Sequence, residues 1–265
     1  MDLFEFVYLT ILSFIQGMTE FLPVSSSAHL LVLPYLVNVA DQGVIVDISA
    51  HIGSILAVCY FYRKDIKEIF FSIFRSNSTK SQRSLFYKIC LAFIPIFIAG
   101  AVMYFCKISG IRNPKIVIYT SIIFGGFLYL ADVYGVKKKD IPQLSYLDAI
   151  FIGLAQIISI IPGVSRSGAT MTAGMMCGQK RQSAVRFAFL LSIPTVGFVG
   201  MGSIVEFIAN PVKINIVYLI FTICMSFIFS LLAIKFMISW IKKSSFKIFA
   251  IYRILFGIFL YFYLK

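Results

Sequence analysis

Six long stretches that are almost free of charge restrict what this chain can fold into. They lie at approximately 44–62, 89–106, 116–132, 187–205, 214–234 and 248–264. A helix needs about 20 apolar residues to cross a hydrocarbon core of roughly 30 Å, and these stretches reach or approach that length. Hydrophobic residues make up 60% of the 265 residues and charged residues 13%, which is more apolar surface than one globule can enclose. We therefore predict an all-α integral membrane protein with six transmembrane helices.

Two further apolar regions, 3–38 and 149–179, are each interrupted near the middle by Ser, Gly and Pro. Their arms are too short to span a bilayer, since a run such as 149–161 covers only about 20 Å as a helix. We predict that each region forms a re-entrant helical hairpin, which enters the membrane and returns to the same side. Irregular backbone is tolerated at that depth only where protein buries it or a wet cavity lines it, so the tips are the expected place for polar chemistry.

The distribution of basic residues predicts the orientation in the membrane. Of the 24 Lys and Arg residues, 17 fall in the four loops 63–88, 133–148, 180–186 and 235–247, and five fall in the loops of the opposite side. The positive-inside rule places the 17 in the cytoplasm and both termini outside. The net charge of +13 is then mostly a matter of topology. We expect membrane lipids as partners, and no nucleic acid.

The two interrupted regions share residues at a constant offset of 140. The matching pairs are Gln16 and Gln156, Val24 and Val164, Ser25 and Ser165, and Ser27 and Ser167. Because three predicted spans separate the hairpins, the two halves enter the membrane from opposite sides, as in an inverted-topology repeat. We expect a single membrane domain over 1–265, with repeat halves at approximately 1–132 and 149–265 joined by a cytoplasmic loop. The hairpin tips then meet in the bilayer interior.

The residues of the two tips point to an anionic ligand. The first tip carries Glu20, the run Ser25, Ser26 and Ser27, and His29; the second carries Gly163, Ser165, Arg166, Ser167 and Gly168. Hydroxyls, N–H groups at a helix start and a guanidinium commonly hold phosphate oxygens. Two functions fit: a phosphatase for a lipid diphosphate with its site opening outward, or a transporter or flippase for an anionic isoprenoid lipid. The tips carry more proton-transfer groups than anion binding needs, which favours the phosphatase.

Four segments carry a resemblance to a known family: QGMTEFLPVSSSAH (16–29), IGSILAV (52–58), PGVSRSGAT (162–170) and FAIYR (249–253). Together they resemble the undecaprenyl-diphosphate phosphatases, bacterial membrane enzymes also called bacitracin-resistance proteins. The resemblance implies hydrolysis of undecaprenyl diphosphate to undecaprenyl phosphate and inorganic phosphate, a phosphoanhydride cleavage. It further implies recycling of the carrier lipid for peptidoglycan synthesis, bacitracin resistance and a multi-pass location in the bacterial cytoplasmic membrane, with a homodimer as one option for assembly.

The resemblance also assigns roles to residues. It implies Glu20, Ser26, His29 and Arg166 as catalytic residues, Gln16, Ser25, Ser27, Gly163, Ser165, Ser167 and Gly168 as substrate-binding residues, and a divalent cation, Mg²⁺ or Ca²⁺, with Glu20 as ligand. Three nucleophiles stay open: Ser26 activated by His29 or Glu20, His29 itself, or a water oriented through the metal by Glu20. Gln16 is the uncharged option at a position where the family also has an acid, and His51 stands where Gln is common. We expect His51 and Arg253 to be structural.

Overall fold

The computed structural model describes residues 3–37, 44–74, 80–106, 113–209 and 215–264. Eleven helices lie within these ranges: α1 (Leu3–Phe21), α2 (Ser26–Val37), α3 (Val44–Phe61), α4 (Arg63–Phe71), α5 (Lys80–Phe105), α6 (Pro114–Tyr134), α7 (Tyr146–Ile157), α8 (Arg166–Met176), α9 (Arg181–Ala209), α10 (Ile216–Lys243) and α11 (Lys247–Tyr263). Short 3₁₀ turns occupy Ile141–Gln143 and Ile158–Ile160. Apart from one bridge between Lys139 and Gln179, the described residues hold no β-structure, which confirms the prediction of an all-α protein.

Several helices have the length and apolar character needed to cross a membrane. In the described part of the chain, four qualify alone: Lys80–Phe105, Pro114–Tyr134, Arg181–Gly202 and Ile216–Lys243. A fifth candidate is the pair Ile45–Phe61 and Arg63–Phe71, which is bent by 74°. Helix α11 has 17 residues, a length of about 26 Å. The six predicted stretches thus coincide with α3, α5, α6, α9, α10 and α11, and the chain is a multi-pass membrane protein.

Each interrupted apolar region forms two helices joined by a short turn. Helix α1 ends at Phe21 because Leu22 precedes Pro23, and the residue before a proline avoids the helical conformation. Helix α7 begins at a capping box in which Ser145 and Asp148 satisfy each other's backbone N–H groups. It passes through the 3₁₀ turn into a second break, after which α8 begins. The tips of both helix pairs therefore lie near residues 22–25 and 161–165.

The first helix of each pair packs against a long helix from the other half of the chain. Helix α1 packs on α10 and α7 packs on α5, while α3 contacts α9 and α6 contacts α11. Glycines allow the closest approaches. A Cβ at Gly17 would lie 2.9 Å from the backbone N of Ser230, and a Cβ at Gly153 would lie 2.4 Å from the carbonyl O of Ala92. These contacts hold both tips inside the bundle.

Ion pairs tie the helix ends together on the side that the positive-inside rule places in the cytoplasm. Asp132 is fully buried and accepts hydrogen bonds from Arg181 Nε (2.5 Å) and from the backbone N–H of Phe246 (3.0 Å). Lys180 donates to Asp140 at 2.6 Å, and this bond lowers the pKa of the Asp140 carboxyl. The ends of α6, α9 and α11 are therefore joined through charged and backbone contacts.

Candidate functional site

The turns at the two tips share an uncommon backbone conformation. Ser25 has a φ of 76° and Ser165 a φ of 69°, both in the left-handed region. The Ser165 hydroxyl accepts a hydrogen bond from the backbone N–H of Gly168 (3.1 Å), which caps the start of α8. Likewise, the Ser25 hydroxyl accepts from the N–H of Ala28 at 3.4 Å in the first turn of α2. Each serine thus reverses the chain and begins the returning helix.

The two tips touch each other directly. Arg166 Nη2 donates to Glu20 Oε1 at 2.7 Å, and the two residues are 146 positions apart. Ser167 Oγ donates to the carbonyl O of Leu22 at 3.0 Å. Both contacts run from the first turn of α8 to the end of α1 and the turn that follows it. The structure therefore brings together the acid of one tip and the guanidinium of the other, as the sequence predicts.

Glu20 is the centre of a hydrogen-bond network. Its side chain is buried and, besides Arg166 on Oε1, it accepts hydrogen bonds on Oε2 from Gln16 Nε2 (2.9 Å) and from Ser26 Oγ (2.6 Å). Three hydrogen bonds, one of them from a guanidinium, hold the carboxylate in this buried position. Because the Ser26 hydroxyl points its proton at the carboxylate, Glu20 is placed to accept that proton.

A cavity of about 190 Å³ lies over this network, between the two tips and helices α3, α5 and α9. Its lining combines hydroxyls, the ion pair and a few apolar side chains. The lining residues are Thr19, Glu20, Ser25, Ser26, Ser27, His51, Ile96, Ser159, Ile160, Ser165, Arg166, Ser167, Thr195, Val196 and Val199. A cavity with one guanidinium, several hydroxyls and a carboxylate that bonds to one of them can hold a phosphoryl group and activate a hydroxyl nucleophile.

Of the eleven predicted site residues, seven line the cavity, three lie beside it, and His29 does not line it. Glu20, Ser25, Ser26, Ser27, Ser165, Arg166 and Ser167 are in the lining. Gln16 contacts two lining residues, Glu20 and His51, and Gly168 donates its backbone N–H to the Ser165 hydroxyl. Gly163 has a φ of 89° in the second tip, and its carbonyl O accepts a hydrogen bond from Arg253 (2.8 Å). These three residues support the site without lining the cavity.

His29 faces away from the cavity. Its Nδ1 lies 2.7 Å from the carbonyl O of Ser25, and its Nε2 lies 2.6 Å from the hydroxyl of Tyr252. The imidazole also stacks on Phe256, with ring centroids 4.5 Å apart. Both ring nitrogens are therefore engaged by groups other than Glu20 and Ser26, and the ring joins α2 to α11.

Arg253 holds the second tip from within the bundle. It is 1% exposed, and its Nη2 donates to the carbonyl oxygens of Gly163 and Val164 at 2.8 Å each. These carbonyls belong to the turn that places Arg166. Arg253 is a positioning residue for that turn, in line with the structural role expected from the sequence.

Eight lining residues are not among the predicted site residues, and two of these, His51 and Thr195, contact a buried glutamine. The sequence predicts a structural role for His51 and no role for Thr195. Both lie on the helix that follows a hairpin, and each contacts the glutamine of that hairpin: His51 contacts Gln16 (2.7 Å) and Thr195 contacts Gln156 (3.4 Å). The sequence signal for these two residues is the pair of matched glutamines, because the partners of two buried amides have to come from neighbouring helices.

The donor set for a divalent cation is small. The described residues contain no group of three His, Cys, Asp or Glu side chains placed to hold a metal ion. Glu20 is the carboxylate of the cavity, and the buried Oε1 of Gln16 lacks a hydrogen-bond partner in the described part of the chain. Mg²⁺ often binds through one or two carboxylates together with substrate phosphates. The residues therefore fit a cation that the substrate itself helps to hold.

Fold and site together define a class: a helical, multi-pass membrane protein with a polar cavity between the tips of two helix pairs, lined by a carboxylate, a guanidinium and several hydroxyls. The chain matches the family Bacitracin resistance protein BacA over residues 9–259. It belongs to this family.

Similar proteins from bacteria match this chain over nearly their whole length. It is 36% identical to Undecaprenyl-diphosphatase 1 of Pseudoalteromonas translucida over 255 residues, which is 95% of this chain and 96% of that protein. It is 38% identical to the Undecaprenyl-diphosphatase of Desulforudis audaxviator over 248 residues, 94% of each chain. The corresponding protein of Idiomarina loihiensis is 34% identical over 260 residues, covering 97% and 98%.

Proposed function

We propose that this protein hydrolyses undecaprenyl diphosphate to undecaprenyl phosphate and inorganic phosphate. The reaction recycles the carrier lipid for peptidoglycan synthesis and confers resistance to bacitracin. The names of the similar proteins support this substrate. The observation that carries the chemistry is the position of Ser26 Oγ, 2.6 Å from the same carboxylate that Arg166 binds.

The first step transfers the terminal phosphoryl group to Ser26. Its Oγ attacks the terminal phosphorus, the bond from that phosphorus to the bridging oxygen breaks, and the electron pair leaves with undecaprenyl phosphate. Glu20 accepts the hydroxyl proton. A phosphate monoester is a good leaving group, so the main requirement for catalysis is stabilisation of the developing negative charge. The guanidinium of Arg166 in the cavity wall provides this stabilisation.

The second step hydrolyses the phosphoserine. Water attacks the same phosphorus, the Ser26 Oγ–P bond breaks and inorganic phosphate leaves. Glu20 returns its proton to the serine oxygen, and the proton of the attacking water remains on the phosphate or is taken up by Glu20. His29 is engaged by Ser25 and Tyr252. In this proposal it supports α2 instead of acting as the nucleophile.

We also propose a divalent cation, Mg²⁺ or Ca²⁺, held by Glu20 together with the diphosphate. Its support is the oxygen-rich wall of the cavity and the unpartnered Gln16 Oε1 beside Glu20. The cation supplies charge neutralisation when it is bound.

In the membrane we propose six transmembrane helices, α3, α5, α6, α9, α10 and α11, with α1–α2 and α7–α8 as re-entrant hairpins. The reciprocal contacts α1 with α10 and α7 with α5 support an inverted repeat. So do Ser25 and Ser165, which share one conformation in the two tips. In this arrangement the protein lies in the bacterial cytoplasmic membrane and the cavity opens to the outer face.

The decisive experiment measures phosphate release from a polyprenyl diphosphate by the purified protein in detergent with Mg²⁺. We expect wild-type protein to release phosphate, and Arg166→Ala or Glu20→Ala to abolish release while both variants elute as folded protein from a sizing column. Turnover at the wild-type rate in both variants would contradict the site. Absence of release by the wild type, together with transport of the lipid in proteoliposomes, would favour a flippase.

A further inference from the structure

The imidazole of His51 lies at the cavity wall in a fixed orientation. Its side chain is 28% exposed, and Nδ1 lies 2.7 Å from Nε2 of the fully buried Gln16. Gln16 Nε2 also donates to the Glu20 carboxylate, so this atom is the amide nitrogen and a donor. His51 Nδ1 therefore accepts, and the neutral imidazole carries its proton on Nε2. The Nε2 side of the ring is the side left for the cavity.

The second half of the chain has a matching arrangement. Thr195 lines the cavity from α9; its Oγ1 donates to the carbonyl O of Leu191 at 2.9 Å and lies 3.4 Å from the side-chain amide of Gln156. Gln156 corresponds to Gln16 at the offset of 140. In both halves, a buried glutamine of the helix pair contacts a polar side chain that the next helix places in the cavity wall. The repetition indicates that these side chains serve the cavity and not only the packing of α3.

The charges of the cavity indicate a role for His51 in binding a phosphate oxygen. Among the described lining residues, the ionisable side chains are Glu20, Arg166 and His51. Glu20 Oε1 pairs with Arg166 at 2.7 Å, and Glu20 Oε2 lies 3.6 Å from His51 Nδ1, so the carboxylate offsets one positive charge and leaves His51 Nε2 unused by the pair. A diphosphate brings at least two negative charges into the cavity. His51 is the remaining ionisable group of this lining that can donate to an additional phosphate oxygen.

We infer that His51 is a substrate-binding residue of this site, donating Nε2–H to a phosphate oxygen, and that Gln16 is its positioning residue. The identity of the ligand as a lipid diphosphate rests on the proposed function. In this inference the substrate contacts both Arg166 on the second tip and His51 on α3, which flank the Glu20 carboxylate.

Two polar substitutions separate substrate binding from a merely structural role. The amide of His51→Asn reaches the position of Nδ1 and keeps the contact with Gln16, but it lacks a donor at Nε2. The longer amide of His51→Gln places its nitrogen near Nε2. Loss of a hydrogen bond to a charged group costs on the order of tenfold or more in binding. We expect His51→Asn to raise KM by about tenfold with a smaller change in kcat, and His51→Gln to stay within about threefold of the wild-type KM.

The control is Ser54→Ala, one turn further along α3. Ser54 accepts a hydrogen bond from Ser230 of α10 at 2.9 Å and is absent from the described cavity lining. The Ser54→Ala substitution should change the thermal stability slightly and leave KM unchanged. A structural role for His51 predicts the reverse order, with His51→Asn near wild type and His51→Gln impaired, and that result would overturn the inference.

A binding measurement makes the test independent of turnover. Titration calorimetry with methylenediphosphonate, a diphosphate analogue that is not hydrolysed, should show weaker binding to His51→Asn than to wild type and Ser54→Ala. If the wild type binds this analogue but releases no phosphate from polyprenyl diphosphate, the proposed function fails and the binding comparison still decides the role of His51. Equal affinity of His51→Asn and wild type would overturn the inference.

Discussion

Ser25 and Ser165 lie 140 residues apart and adopt the same left-handed backbone conformation at the tips of two helix pairs. Each hydroxyl accepts a backbone N–H three residues later, and each lies 3.2 Å from the hydroxyl of the serine two residues later. Positive φ is uncommon for serine and costs of order 1 kcal/mol or more. In both tips the helix cap made by the serine hydroxyl offsets this cost, since the same serine reverses the chain and begins the next helix.

Two substitutions at Ser165 should distinguish the stability contributed by the hydrogen-bond cap from the cost of the left-handed backbone conformation. Ser165→Ala loses the hydrogen bond with Gly168 and keeps the strain, so we expect it to lower the free energy of unfolding by about 1–2 kcal/mol. Ser165→Gly also loses the bond but adopts the observed φ freely, so its loss should be only a few tenths of a kcal/mol. Thermal unfolding in detergent should rank wild type highest, glycine next and alanine lowest.

The matched control for this series is Ser49→Ala. The Ser49 hydroxyl donates to the carbonyl O of Ile45 within α3 and caps no helix start. Its melting temperature should stay near that of the wild type. If Ser165→Ala proves as stable as Ser49→Ala, the Ser165 cap does not stabilise the tip.

Removal of the Ser26 hydroxyl should abolish turnover. Ser26→Ala lacks the nucleophile, and we expect phosphate release to fall by about 10³-fold or more, as for the loss of other covalent nucleophiles. Rapid acid quenching of the wild type with substrate, followed by mass spectrometry, should show phosphate on Ser26. Ser27→Ala, which removes the neighbouring hydroxyl 3.2 Å from Ser25, should cost much less.

The outcome for His29 decides between the two protein nucleophiles. We expect His29→Phe to keep the stacking on Phe256 and to retain measurable phosphate release, since the Ser26–Glu20 pair is intact. Phosphohistidine in the quenched enzyme, or full activity of Ser26→Ala with an inactive His29→Phe, would assign the attack to the imidazole.

Much of the helix pattern could be predicted from local sequence signals. Charge-free length predicts the long helices, and Pro23 and Pro162 predict the turns because each stands beside a run rich in Ser or Gly. Proline alone does not predict a break, since Pro34, Pro95 and Pro194 lie inside α2, α5 and α9. The offset of 140 also brings Glu20 and Arg166 into the same small set of tip residues, and the structure joins them at 2.7 Å. These predictions depend on properties of short segments and of repeated motifs.

The direction of individual side chains could not be predicted in the same way. The partner of His29 is Tyr252, which is 223 residues away on α11, and no local pattern links them. Similarly, His51 lines the cavity because α3 packs beside α1, which turns this face of α3 toward Gln16. Such contacts depend on the rotation of packed helices about their axes, and a single sequence carries little information on that rotation.

The close approach of α7 and α5 predicts a large difference between two glycine substitutions. A Cβ at Gly153 would lie 2.4 Å from the carbonyl O of Ala92, so Gly153→Ala must push the two backbones apart; we expect a loss of about 1–3 kcal/mol. A Cβ at Gly126 meets no atom of the described residues within 4 Å. Gly126→Ala should keep or slightly raise the melting temperature. Equal effects of both substitutions would contradict this packing.

Cysteine labelling tests the proposed topology with residues at the ends of described helices. In a variant whose five native cysteines are replaced, single cysteines are placed at Leu3, Lys115 and Lys138, all of which are exposed. Lys115 lies in the first turn of α6 and Lys138 lies four residues beyond its last residue, Tyr134; at 21 residues this helix is about 32 Å long, enough to span the bilayer. We expect a membrane-impermeant maleimide to label position 115 in spheroplasts and to reach position 138 only after lysis.

Leu3 distinguishes a re-entrant α1 from a spanning one. If α1 and α2 form a hairpin that returns to the outer side, three crossings separate Leu3 from the loop that contains Lys138, and the cysteine at Leu3 is labelled from outside together with that at Lys115. If the α1–α2 pair instead crosses the bilayer once, Leu3 lies in the cytoplasm and is protected until lysis. Protection of Leu3 with free labelling of Lys115 would therefore disprove the first hairpin, and with it the inverted repeat.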